Sequence, residues 1–231
     1  MPVSSLESTR LQNFISIAVH DLREPLRAIR TGSELLAIRC AGDESVTRNL
    51  SFVQEGVDRL ELLIRDIAQY CYEEAREHSQ APVPLERALS EARDQLSGGL
   101  EENQALVTHG PLPVVAGDAP ALALLFRCLL DNACKFRGDA PPRIRVSAAS
   151  RRKRWIVSVR DNGTGFKPEY CEKIFQPFEK LHGKRYVGSG LGLALAKRIV
   201  ERHGGRIAAN ANPGQGAVFT FSLPPAPIAE G

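Results

Sequence analysis

The chain has 231 residues, 43% hydrophobic and 25% charged, with a formal net charge of +3, enough for a sizeable core in one large or two small domains and too mildly basic to indicate a nucleic-acid partner. No apolar run approaches the ~18 residues of a membrane helix, and the N-terminus lacks the basic-then-apolar pattern of a signal peptide. The five cysteines show neither a C-x-x-C pair nor zinc spacing, so the expectation is a cytoplasmic chain with reduced thiols, no membrane segment and no nucleic acid.

The first predicted elements are two long helices. From Leu11 the apolar or small positions run Leu11, Ile15, Ala18, Leu22, Pro25, Ile29, Gly32 and Leu36, in the alternating steps of four and three of a packed helical seam. Val46, Leu50, Val53, Val57, Leu60, Ile64, Ile67 and Cys71 repeat the rhythm. Between them Cys40 to Ser45 supplies a turn, with Gly42 and an N-cap at Asp43 or Ser45. A hairpin alone has too little core, and two of them pairing into a four-helix bundle bury both seams, so a homodimer is expected.

With Ala18 and Leu22 on the seam, His20 falls on the solvent face. An exposed imidazole presents a ring nitrogen that is available as a nucleophile. A lone exposed histidine carries little weight, but Pro25 inside the same helix removes a backbone hydrogen bond at a cost of ~3 kcal/mol. That cost is odd in a merely structural hairpin and sensible beside a site that must open.

Ala81-Pro82-Val83-Pro84 reads as a linker or edge strand. An amphipathic helix follows around Glu86 to Leu100, then strand-like pieces at Ala105 to Thr108 and Pro113 to Ala116, and a helix from about Ala119 to Phe136. Arg143 to Ala149 and Trp155 to Arg160 form a predicted hairpin, whose basic run Arg151-Arg152-Lys153-Arg154 reads as a solvated turn rather than a phosphate-binding patch. A helix from Gly190 to His203 precedes strands at Arg206 to Ala209 and Ala217 to Leu223. Helices on one face of a mixed, largely antiparallel sheet make this half α+β, a two-layer sandwich.

Three motifs in the second half point to a nucleotide. Asn132 and Lys135 sit three apart on one helical face, a neutral oxygen donor that suits magnesium and a point charge that suits phosphate. Asp161-Asn162-Gly163-Thr164-Gly165 follows a strand, where a carboxylate can accept from the exocyclic amine of adenine and the glycines let backbone approach the ligand. Gly188-Ser189-Gly190-Leu191-Gly192-Leu193 opens a helix whose free amides favour phosphate. Each is weak alone; their order behind the H-D-L-x-E-P-L segment at His20 is not.

That combination resembles the catalytic output module of bacterial sensor histidine kinases of two-component systems, and the bacteriophytochrome-type kinases in particular, over nearly the whole chain. The resemblance implies a dimerization and histidine-phosphotransfer domain at residues 1–80 and an ATP-binding catalytic domain of the gyrase/histidine-kinase type at residues 81–231. It implies His20 as phosphoacceptor with Asp21 as its acid/base neighbour, Asn132 as magnesium ligand, Lys135 as a phosphate contact and Asp161 as adenine reader. Gly163, Gly165, Gly188, Gly190, Leu191 and Gly192 would line ATP. Phe175-Gln176-Pro177-Phe178 matches the phenylalanine motif at the base of an ATP lid running from Glu179 to Val187, with Lys184 and Arg185 placed to reach phosphates.

The implied function is autophosphorylation of His20 from ATP with magnesium, then transfer to an aspartate of a response regulator receiver domain, under an upstream sensory domain or protein whose signal lies outside these residues. The Pro25 bend and the linker near Pro82 are candidate hinges. The chain departs from the family at Cys128, where a second asparagine is usual, and at Glu24, where many relatives carry the Thr or Asn associated with dephosphorylating the partner. Glu24, four residues from His20 on one face, also rivals Asp21 as the group that orients the imidazole. Two other readings stay open: a gyrase- or MutL-like ATPase, against which Cys128 stands where the activating glutamate would be, and a dimeric scaffold or phosphorelay module that has lost catalysis.

Overall fold

The structure, a computed structural model, describes residues 5–76, 79–181 and 188–226. It divides into two compact units, one ending at Arg76 and the other made almost entirely of the residues that follow. Among the described residues no helix is long and apolar enough to cross a membrane.

The first unit is a hairpin of α1 (Ser5–Arg39) and α2 (Glu44–Ala75). Asp43 is the cap of α2, its Oδ1 accepting from the amides of Ser45 at 2.9 Å and Val46 at 3.1 Å, a contact worth ~1 kcal/mol. Pro25 lies inside α1 without ending it; lacking an N–H, it leaves the carbonyl of Asp21 without its helical partner.

The predicted seam splits into two stripes. Leu26, Ser33 and Val57 are buried within the hairpin, whereas Leu22 at 52% exposure, Ile29 at 48%, Leu36 at 50% and Leu60 at 48% are open. One hairpin can cover only the stripe where its own two helices meet. Between the helices the Arg30 guanidinium forks onto α2, with Nη2 2.5 Å from Asp58 Oδ1 and 2.9 Å from Glu61 Oε2, and Nε 3.4 Å from Glu61 Oε1.

The second unit runs β1 (Ala81–Pro84), α3 (Leu85–Gln95), α4 (Ser97–Glu102), β2 (Leu106–His109), β3 (Val114–Gly117), α5 (Ala119–Lys135), β4 (Arg143–Arg151), β5 (Arg154–Arg160), two 3-10 turns (Pro168–Tyr170 and Lys173–Phe175), α6 (Gly192–Arg202), β6 (Ile207–Ala211) and β7 (Ala217–Leu223). The main sheet has the order β2-β4-β5-β7-β6, antiparallel except for the parallel β2–β4 pair. The single helix expected over 86–100 is two, broken at Leu96 just before the Gly98-Gly99 pair. The two short strand-like pieces that follow go to different sheets, because β3 pairs with β1 instead.

Strand alternation sends Ile144, Val146, Val157, Val159, Phe219 and Phe221 to one buried face, each contributing roughly 1.5–3 kcal/mol. Helix α5 packs there, with Phe126 edge-on to Phe221 at 6.0 Å between ring centroids. The other face of β4 carries Arg143, Arg145, Ser147 and Arg151, all exposed. At the β4–β5 turn Arg152 and Lys153 both have positive φ, 49° and 61°, the two-residue geometry that Asn-Gly normally fills, at a cost on the order of 1 kcal/mol per non-glycine residue.

Candidate functional site

His20 stands on α1 with its side chain 79% exposed. Its Nδ1 lies 3.3 Å from Asp21 Oδ1. Neighbouring side chains on a helix diverge, yet nothing crowds either group here and the short carboxylate turns toward the ring. Among the described residues no hydrogen bond joins Glu24 to His20, so of the two rivals the geometry favours Asp21. With Nδ1 engaged, Nε2 is the ring nitrogen left to react.

Asp161 follows β5 and is 8% exposed. Its Oδ1 accepts two amides, from Gly163 at 2.8 Å and Ala217 at 3.0 Å, so Oδ2 keeps its lone pairs for a ligand. Burial pushes this carboxyl above the ordinary carboxylate value, and the two amides pull it partly back.

The loop after Asp161 is stitched to its surroundings. Asn162 Oδ1 accepts from the Arg143 amide at 2.7 Å, and Thr164 donates its amide and hydroxyl to the Phe136 carbonyl at 2.8 and 3.2 Å. That carbonyl ends α5, so the same contact brings the Asn132 end of the helix to the Asp161 loop. Packing alone already requires glycine at both Gly163 and Gly165. A Cβ on Gly163 would sit 2.4 Å from the Phe136 oxygen, and one on Gly165 would overlap the Asn212 carbonyl.

At the end of α5, Asn132 is half-buried, Cys128 is buried one turn before it, and Lys135 Nζ sits 2.6 Å from Asp131 Oδ2. Lys135 is therefore paired rather than open, although a partly exposed pair of this kind holds it by no more than ~1 kcal/mol. Among the described residues no three His, Cys, Asp or Glu side chains gather as a metal site. A magnesium ion here would rest on one neutral oxygen from Asn132, with nucleotide phosphates and water completing its shell.

Helix α6 begins at Gly192, two residues later than expected, and has no side-chain cap, so its first-turn amides are free for an anion. A Cβ on Gly192 would meet nothing within 4 Å; protein packing does not demand this glycine, whereas close approach of a phosphate would. Leu191 is buried and Gly188 half-buried. Gly190, at φ 81°, receives the Phe178 amide on its carbonyl at 3.1 Å, while Phe175 is anchored edge-on to Phe219 at 6.4 Å. Lys184 and Arg185 lie outside the described residues.

Sequence reasoning missed the residues that hold Asp161. The Ala217 amide is backbone and leaves no residue signature. Gly216 does leave one: at φ 73°, a Cβ there would overlap the Asp161 carbonyl, and the Gly214-Gln215-Gly216 turn was the available signal.

Residues 10–70 match the His Kinase A (phospho-acceptor) domain, and residues 117–227 match the family described as histidine kinase-, DNA gyrase B- and HSP90-like ATPase. Cyanobacterial phytochrome A of Nostoc sp. is 36% identical over 220 residues, covering 94% of this chain and 29% of that protein. The phytochrome-like protein Cph1 of Synechocystis sp. is 35% identical over 217 residues, covering 93% and 29%. The chain thus spans under a third of these relatives. Among solved structures, full-length ShkA in complex with AMPPNP superposes with a TM-score of 0.69 at 26% identity, covering 94% of this chain and 46% of that one.

Proposed function

Because this chain belongs to the histidine kinases, with a phospho-acceptor domain ahead of an ATPase domain, we propose that it phosphorylates its own His20 from ATP and passes the phosphoryl group to an aspartate of a response regulator. The observation that carries this reading is the exposed His20 ring with Nδ1 at Asp21. A carboxylate accepting Nδ1–H fixes the tautomer whose lone pair is on Nε2 and favours the positive charge that develops on the ring.

In the reaction, Nε2 attacks the γ-phosphorus in line, forming a P–N bond as the bridging P–O bond to ADP breaks; the Nδ1 proton stays shared with Asp21. Oδ2 of Asp161 accepts the adenine amine, the α6 amides hold phosphate, and Lys135 exchanges Asp131 for a phosphate oxygen. Lys184 and Arg185 are assigned to the same phosphates from the family resemblance alone. Asn132 supplies the protein oxygen for magnesium, whose chemistry when bound is to neutralise phosphate charge.

Residues 1–80 form the dimerization and phosphotransfer domain in this reading, and 81–231 the catalytic domain. The open stripe at Leu22, Ile29, Leu36 and Leu60 is the face that a second copy covers to complete a four-helix bundle. The protein works in the cytoplasm, as a phosphoprotein, downstream of a sensory domain or protein. Incubation with γ-labelled ATP tests the reading: acid-labile label on the protein, absent in His20→Gln, supports it. Release of free phosphate alone would instead indicate a gyrase-type ATPase, and neither product a scaffold.

A further inference from the structure

We propose that the open face of the main sheet, along the β4–β5 hairpin, is a docking surface for a carboxylate-rich segment of another protein. Between Arg143 and Arg160 the sequence holds six arginines, one lysine and no acid, while the rest of the chain carries all 27 acidic residues against 23 basic ones. Strand register sets Arg145 directly opposite Arg160 and Arg151 directly opposite Arg154. Like charges so placed repel, and among the described residues none of Arg143, Arg145, Arg151 and Arg160 is in an ion pair.

A second, independent feature agrees. The turn that joins these strands keeps Arg152 and Lys153 in left-handed conformations where Asn-Gly would be unstrained. Strain that persists at one place in a fold points to use at that place, and here what is retained is positive charge.

The chemistry of the face selects the partner. Arginine forks match carboxylates two bonds at a time. Between the charged ends the strand positions Ser147, Ala149, Ser158 and Thr220 are small, with Ile156 opposite Ala149 as a larger aliphatic side chain. No Phe, Tyr or Trp stands on this face to stack bases or to enter a bilayer. Arg145 and Arg151 are six residues apart, roughly 20 Å along a strand, so an extended acidic segment could engage both ends at once.

The test measures anisotropy of a labelled dodecapeptide of alternating Glu and Ser against the whole chain, beside a 20-base-pair DNA duplex and phosphatidylserine vesicles. The peptide should bind, and Arg145→Gln/Arg160→Gln should weaken it at least tenfold. Arg48→Gln/Arg59→Gln, the same charge change on α2, should weaken it less than twofold. Relief of the Arg145–Arg160 repulsion keeps the test variant at least as stable as the parent, and its nucleotide affinity serves as the folding check. Absence of peptide binding, equal losses in the two variants, or tighter binding to duplex or vesicles would overturn the proposal.

Discussion

The Ala217 amide, at the start of β7, donates to the buried Asp161 carboxylate at 3.0 Å, across 56 residues of sequence. This bond and its Gly163 counterpart commit Oδ1 to the protein and reserve Oδ2. The carboxylate proposed to read adenine is thereby held by backbone, not by another side chain.

In Asp161→Asn the carboxamide oxygen stays with the two amides and turns its NH2 toward the adenine amine, donor against donor. ATP affinity should fall by roughly 1–3 kcal/mol with little change in Tm, checked by calorimetry and thermal melting. The pH dependence has a definite sign. Because the folded pKa of this acid is raised, its contribution favours folding below the unfolded value and is lost as pH rises through the folded one. Nucleotide binding runs oppositely, since it needs the carboxylate: affinity should drop as pH is lowered through the raised pKa, before it would for an unperturbed aspartate.

Asp21→Asn should slow autophosphorylation about 10²-fold, while Glu24→Gln, which breaks no contact with the ring, should change it by less than about fivefold. Quenched-flow labelling with saturating ATP separates the two. A larger loss in Glu24→Gln would show that Glu24 orients the imidazole.

Val57 and Leu60 lie three residues apart yet should fail in different ways. Val57 is 4% exposed within one hairpin, whereas Leu60 is 48% exposed. Glutamate at Val57 buries an unpaired charge, at several kcal/mol, and should melt the hairpin. Leu60→Glu should keep its helicity and sediment as a monomer. Sedimentation and circular dichroism together read both outcomes.

The hairpin and the order of the nucleotide motifs were legible because each repeats or clusters residue types: a four-three rhythm for α1 and α2, an aspartate followed by spaced glycines for the Asp161 loop. What was not legible depends on distant backbone. The Ala217 amide and the Phe136 carbonyl could belong to any residue type, so nothing at those positions announces that they hold Asp161 and seat Thr164. The parallel β2–β4 pair was hidden for a related reason, since four-residue strands carry no sign of direction. The single seam misled because Leu26 and Ser33, one step off the chosen positions, make the contact within one hairpin and leave Leu22 and Ile29 for another.

Replacing the strained turn, Arg152→Asn with Lys153→Gly, should raise stability by about 2 kcal/mol, since both positions then match the left-handed geometry. Denaturant unfolding of the double variant beside the parent chain gives the difference. No gain would mean that the turn relaxes in solution.

Cys128→Asn should lower the magnesium concentration for half-maximal labelling, by adding an amide oxygen one turn before Asn132. Burying the amide at this site should also cost roughly 1–3 kcal/mol, seen as a lower Tm. An unchanged magnesium requirement with a lowered Tm would mark Cys128 as a packing residue alone.

The Arg30 fork also sets how the hairpin can move. Paired with Asp58 and Glu61 at once, Arg30 biases α1 against sliding along α2 without locking it, since part-exposed pairs are weak. Five residues earlier, Pro25 has already broken the backbone ladder at the Asp21 carbonyl. A push delivered along α1 is therefore resisted as translation at Arg30 and taken up more easily as bending where the ladder is missing a bond, which would turn the helix that carries His20.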